Sequence, residues 1–266
     1  MEVQRKNALN NFKDALGQYC AINQFIELSK RCFVSEHEKE IENRESFINL
    51  ATRHSITLTD YNAENMVNAI SRSYIVNVHL CFETFLKEAC TQVKKYGRRE
   101  YKEKTQNQSW LECAINNIIS DNLPENMKEI CDLCEYYRLV RNSAVHDLCD
   151  VNDHVKEYKK LQNYNFKVET KFVKLVAPNE YDRIIFDDFV MFARSSVELA
   201  TYLFENIPYD YEKIILSAPD SLKSVWKRYT RERCENAIKA YINTLFIVDN
   251  SLDEQMPHLI DMVMAQ

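Results

Sequence analysis

The chain has 266 residues, 45% of them apolar and 28% charged, a globular balance far from that of disordered chains. Only 2 glycines occur, Gly17 and Gly97, which excludes a Walker-type phosphate loop or a dinucleotide fingerprint, because both need clustered glycines where backbone approaches phosphate. The net charge of −6 does not by itself point to nucleic acid, and no run reaches the roughly 18 apolar residues needed to span a bilayer.

The amphipathic, charged start MEVQRKNALNNFKDALGQYC is unlike a signal sequence, and the 9 cysteines are odd in number and scattered among apolar residues. A cytoplasmic protein without disulfides or membrane association is therefore expected. Glycine scarcity also disfavours tight hairpins, so the fold class expected is all-α, in one domain over 1–266.

In chain order, periodicity predicts helices over 3–31 and about 35–52. Asp60 is a candidate N-cap for the longest segment, in which Val67, Ile70, Tyr74, Val78, Cys81, Phe85 and Ala89 recur at three- and four-residue steps until Gly97 ends it. A helix follows at about 109–120, and Pro124 opens another that runs toward His146. One or two helical turns are predicted over 153–163. Alternation in FKVETKFVKLV and the run RIIF predict a small hairpin at about 166–176 and 182–186. Asp187 or Asp188 then caps a helix to about 205, which Pro208 stops. A short helix, a break at Pro219, one long amphipathic helix over 220–248 and a last turn ending at Gln266 complete the chain.

Charge is uneven along this path. Lys94, Lys95, Arg98, Arg99, Lys102 and Lys104 crowd into KKYGRREYKEK, and Lys223, Lys227, Arg228, Arg231 and Arg233 form a second cluster. Each cluster reads either as a track for a phosphate backbone or as a solvated helix end or face.

The helix entering residue 146 carries the chemistry. Its predicted inner line is Met127, Ile130, Cys134, Tyr137, Val140 and Ala144. Beside it Glu135, Arg138, Asn142 and His146 form a polar seam on one face, with Arg141 one step away. Arg141 and His146 are about 140° apart around an ideal helix, so they converge only if the helix end distorts or a second copy meets it.

Arg141, Asn142, Ser143, Ala144, Val145 and His146 resemble the motif of the HEPN superfamily: an Arg, commonly followed by a polar residue, then a His after four to six residues. The upstream VHLCFETFLKEA resembles that superfamily's earlier core helix, whose acidic residue Glu83 matches. The resemblance covers about 60–205. It implies an up-and-down helical bundle as core; the helices read at 1–55 and 208–266 have no counterpart in that resemblance and are expected as N- and C-terminal extensions. It also implies a homodimer whose facing motifs form one composite endoribonuclease site, and a toxin or antiviral-defence role with an antitoxin or regulatory protein as partner.

The residue types suit RNA cleavage without metal or cofactor. The substrate's 2′-hydroxyl is the nucleophile, so the protein need only move protons and stabilise charge on phosphorus. His146 can exchange a proton near neutrality, and the planar fork of Arg141 suits the oxygens of a phosphorane. Asn142 would orient the imidazole or the phosphate, Arg138 would add positive field, Glu83 would hold a cation in place, and Lys94, Lys95, Arg98 and Arg99 would contact RNA. The products implied are a 2′,3′-cyclic phosphate and a 5′-hydroxyl.

Bland roles exist for each residue: an imidazolium at a helix C-terminus, or surface ion pairs for the arginines and Glu83. A non-catalytic HEPN-like module binding a nucleotide or a protein is the alternative function, and a plain helical interaction protein assembled through 220–248 is another. Cys131, Cys134, His146 and Cys149 imitate a zinc module, but one continuous helix would place Cys134 and His146 about 18 Å apart, too far to share an ion.

Overall fold

The computed structural model describes residues 7–58, 63–119, 122–145, 151–164, 166, 175–246 and 251–265. Its helices are α1 (Ala8–Glu36), α2 (Glu38–Glu42), α3 (Arg44–Arg53), α4 (Ala63–Tyr96), α5 (Trp110–Ile118), α6 (Glu125–Val145), α7 (Val151–Leu161), α8 (Phe186–Glu205), α9 (Tyr211–Leu216), α10 (Asp220–Trp226), α11 (Arg231–Leu245) and α12 (Ser251–Ala265). Among the described residues there is no strand, only an isolated bridge between Gly97 and Tyr209, so the protein is all-α. No helix among them is long and apolar enough to cross a membrane.

Local chemistry explains most helix ends. Asn43 accepts a hydrogen bond from the Ser46 amide at 3.0 Å and so starts α3 afresh, dividing what periodicity reads as one helix over 35–52. Ser109 and Glu112 form a reciprocal capping box at the start of α5. Asp60, the expected cap of α4, lies outside the described residues. Gly97 ends α4 without a left-handed conformation; a side chain there would put a Cβ 2.5 Å from the Val93 carbonyl oxygen.

The chain groups into two compact units: Met1–Lys13, Phe82–Pro124 and Glu198–Gln266 make one, and Asp14–Cys81 and Glu125–Val197 the other. In the first, the Phe12 ring meets Phe82 and Phe85 at 6.0 and 5.4 Å, and Phe85 meets Phe204 at 6.5 Å. Burying rings of this size contributes about 1.5–3 kcal/mol each. The long helix expected over 220–248 is interrupted. Trp226, buried at the end of α10, packs edge-on against Tyr241 of α11, while Thr230 accepts from the Arg233 amide and begins α11. The last turn expected near Gln266 is the full helix α12.

In the second unit, Tyr74 of α4 packs between Phe186 and Phe189, and Tyr137 of α6 lies against Phe192 of α8. The expected core line of α4 is buried at Tyr74 and Val78, whereas Val67 is exposed. Helix α7 returns along α6: Tyr136 meets Tyr158 at 5.7 Å and Asp132 pairs with Lys160 at 2.5 Å.

The hairpin is not formed in its second limb, where Tyr181–Arg183 is a 3-10 turn and α8 begins at Phe186. Most of the first limb, 167–174, lies outside the described residues. Two aspartates account for the turn. The Asp187 carboxylate accepts from the Val176 amide at 2.9 Å. The fully buried Asp188 carboxylate accepts from the Tyr137 hydroxyl (2.9 Å), the Asn179 amide (2.8 Å) and side chain (2.9 Å), and the Ile185 amide (2.9 Å). These acids act inside the first turn of α8 as tethers for 176–185, not as its N-cap. Burial pushes the Asp188 carboxyl up, and its donors oppose that shift.

Asp188→Ala strands a buried hydroxyl, an amide side chain and two backbone amides, each at about 1–3 kcal/mol. The expected loss is at least about 3 kcal/mol, read as a lower urea midpoint. An unchanged midpoint would contradict the tether.

Candidate functional site

Helix α6 runs unbroken from Glu125 to Val145, close to the expected bounds, with Pro124 just ahead of it. Its buried face is Met127, Cys131, Leu133, Cys134, Tyr136, Tyr137 and Val140. That arc is wider than the expected line: Cys131, Leu133 and Tyr136 are added, Ile130 is half-buried and Ala144 is exposed. The two tyrosines reach across to the 176–185 loop. The Tyr136 hydroxyl donates to the Asn179 carbonyl and the Tyr137 hydroxyl to Asp188. α6 is thereby fixed in rotation, with Glu135, Arg138 and Asn142 of its polar seam half-buried beside the buried face.

Along that seam the cations differ in partner. Arg138 meets Glu135 through Nε (2.8 Å) and Nη2 (2.5 Å), a two-point pair in which both side chains are about one-quarter exposed. Its charge is largely answered. Arg141 is half-buried, its Nη1 donates to the neutral Asn142 Oδ1 at 3.0 Å, and its Nε is buried without a hydrogen-bond partner. Among the described residues no carboxylate pairs with it. Asn142 thus orients the guanidinium. His146 lies outside the described residues, as does Cys149 of the zinc-like pattern.

Glu83 belongs to the other compact unit, where its carboxylate meets Lys87 Nζ at 2.6 Å. The first basic cluster has much internal work. Lys94 pairs with Glu103 at 2.5 Å, and Lys95 Nζ lies 4.9 Å from the Tyr96 ring centroid. Arg98 donates from Nε to the Tyr209 carbonyl at 2.6 Å and lies over Tyr211. Arg99 is exposed. In the second cluster Lys223 pairs with Asp220, Arg231 pairs with Asp261, and Arg233 lies over Tyr229.

One group escaped the sequence reading. His154 on α7 is 6% exposed, and its Nδ1 lies 3.3 Å from the hydroxyl of Ser143, inside the Arg141–Val145 stretch. Its ring is 4.9 Å from that of Tyr181, which the Arg72 guanidinium approaches at 4.7 Å. A cavity of about 440 Å³ opens there, lined by His154, Tyr158, Lys159, Glu180, Tyr181 and Asp182 among others. The signal that could have found His154 is the stripe Val151, His154, Tyr158 and Leu161, which turns this histidine toward α6. Burial lowers the His154 pKa from the ordinary histidine value, and Asp182 and Asp153 resist the shift.

Among the described residues no three His, Cys, Asp or Glu side chains group to hold a metal ion. Cys131, part of the zinc-like pattern, is a buried thiol pushed up to about 12 by burial and by Asp132. Comparison with protein-family models, curated proteins and solved structures found no match to this chain.

A histidine with a depressed folded-state pKa binds its proton more readily in the unfolded chain, whose value is about 6.5. Its stabilising effect is therefore complete above that value and is lost as pH falls through the folded one. Urea midpoints of the parent should decline between about pH 7 and pH 5 more steeply than those of His154→Asn. Parallel declines would show that His154 is not buried neutral.

Proposed function

We propose that the C-terminal end of α6 is the phosphate site of a metal-independent endoribonuclease, working in the cytoplasm as a homodimer on a HEPN-like helical core. The observation that carries this reading is the half-buried Arg141 guanidinium, whose Nε has no partner and which no described carboxylate neutralises. A partly desolvated cation costs several kcal/mol unless an anion answers it, and the neighbouring Arg138 illustrates the usual solution. A phosphate offers oxygens that a planar fork can grip at two points.

On this reading Arg141 stabilises the phosphorane and Asn142 sets the plane of its guanidinium. His146 moves protons, and Arg138, tied to Glu135, supplies background field. A second protomer brings its own motif to the same phosphodiester. Arg99, one of the exposed cations of the first cluster, is a better candidate for trailing RNA than Arg98, which is engaged by Tyr209. A role as toxin or antiviral-defence effector, with an antitoxin or regulatory protein as partner, follows from the motif's resemblance. The second reading, a non-catalytic interaction module, is favoured by the apolar side chains that α1 leaves exposed, among them Ile22, Phe25, Leu28 and Phe33.

The full-length protein should cleave RNA in EDTA. Arg141→Ala should lower the rate about 10²- to 10³-fold with unchanged circular dichroism, and Arg141→Lys should recover little of it. Equal rates for the parent and Arg141→Ala would reject the site.

A further inference from the structure

We propose that the cavity beside α7 is a binding site for a small organic cation, a protonated amine carried on an aromatic or other apolar body. It is a second site and does not rest on the ribonuclease reading. The cavity, of about 440 Å³, lies within the second compact unit, between α7 and the turn at 180–182. That volume falls at the small end of the range for ligand pockets. Its wall is built without a ligand. Asn179 is tied to Asp188, the Asp182 carbonyl accepts from the Asn68 side chain of α4 at 2.9 Å, and Tyr181 meets both the His154 ring and the Arg72 guanidinium.

Charge decides the kind of ligand. Glu180 and Asp182 both line the cavity and both are exposed, and among the described residues neither carboxylate is in an ion pair. Other lysines of α7 are taken up elsewhere: Lys156 pairs with Asp153, and Lys160 pairs with Asp132 and Glu157. Lys159 lines the cavity as well but pairs with neither acid. Burial foremost, then Asp188, Tyr158, Glu180 and Asp182, push the Tyr136 hydroxyl up, so the field of the two acids reaches into the protein. An anionic ligand would face two carboxylates against one ammonium. A bare metal ion lacks a ligand set, since among the described residues no three His, Cys, Asp or Glu side chains group to hold one.

An organic cation finds a partner for each of its parts. Its N–H groups meet the carboxylates of Glu180 and Asp182 in charge-assisted hydrogen bonds. His154, 6% exposed, adds a neutral acceptor: its Nδ1 lies 3.3 Å from the Ser143 hydroxyl, and with the Nδ1 proton donated there Nε2 is the nitrogen left to a ligand. Burial lowers the pKa of that imidazole against the pull of Asp182 and Asp153, so near neutrality it carries no charge to repel a cation. The apolar body rests on Val155 and Tyr158, the latter braced by Tyr136 at 5.7 Å, and the face of the Tyr158 ring attracts a cation in its own right.

Three probes that share one body and differ in charge provide the test: phenethylamine, phenethyl alcohol and phenylacetate, titrated into the full-length protein near neutral pH and followed by calorimetry. The amine should bind saturably at one site, the alcohol about tenfold more weakly and the carboxylate not at all. The double variant Glu180→Gln, Asp182→Asn removes two exposed charges without breaking an ion pair. It should keep the parent's urea midpoint, weaken the amine by about tenfold and erase its advantage over the alcohol. Equal affinity for amine and alcohol, tighter binding of phenylacetate, absence of saturable amine binding, or amine affinity unchanged in the double variant would each overturn the proposal. Should the double variant fail to fold, Glu180→Gln alone decides on the same terms. RNA cleavage by the parent is a separate measurement, so the ribonuclease reading stands or falls independently of these outcomes.

Discussion

The buried carboxylate of Asp188 organises the part of the molecule in which the site lies. A carboxylate that gives up water must recover its hydrogen bonds from the protein, and here the donors come from α6 and from both ends of one loop. Satisfying that single group fixes the rotation of α6 through Tyr137. It also places Glu180, Tyr181 and Asp182 beside α7, so the wall of the cavity and the angle of the motif helix have a common cause.

From this arrangement follows the contrast between two arginines one turn apart. Arg138 is answered by Glu135 at two points, and at part exposure such a pair adds modestly to stability. Arg141 is held by a neutral amide and retains a buried, unpartnered Nε. A folded chain tolerates an imperfectly paired cation where a ligand completes it, and on that difference rests the proposal of a phosphate site at Arg141. On the neighbouring helix α7, the His154 ring is aligned by the Ser143 hydroxyl and the Tyr181 ring beside a cavity.

Much of the helical plan was legible. Glycine scarcity and three-to-four periodicity led to an all-α fold, and α6 and α8 lie within a residue or two of their expected bounds. Interactions remote in sequence were not legible. Asp187 and Asp188 look like helix caps, because nothing local announces that their acceptors will be taken by residues 176, 179 and 185. The stretch Lys227 to Tyr229 tolerates a helix, so periodicity could not reveal that Trp226 would fold under Tyr241. At the site, Arg141 and Asn142 were found by motif and the Glu135–Arg138 pair by spacing. His154 was passed over because α7 is short and heavily charged, although its apolar stripe was there to be read.

The central claim is that the substrate's own 2′-hydroxyl is the nucleophile at the end of α6. It is tested most directly with an RNA oligonucleotide and a copy carrying a single 2′-deoxy residue at the cleavage position, both incubated in EDTA and analysed for end groups. The account predicts a 2′,3′-cyclic phosphate and a 5′-hydroxyl from the first and no cut at the altered position in the second. Cleavage at the deoxy residue, or products ending in a 5′-phosphate and a 3′-hydroxyl, would contradict it.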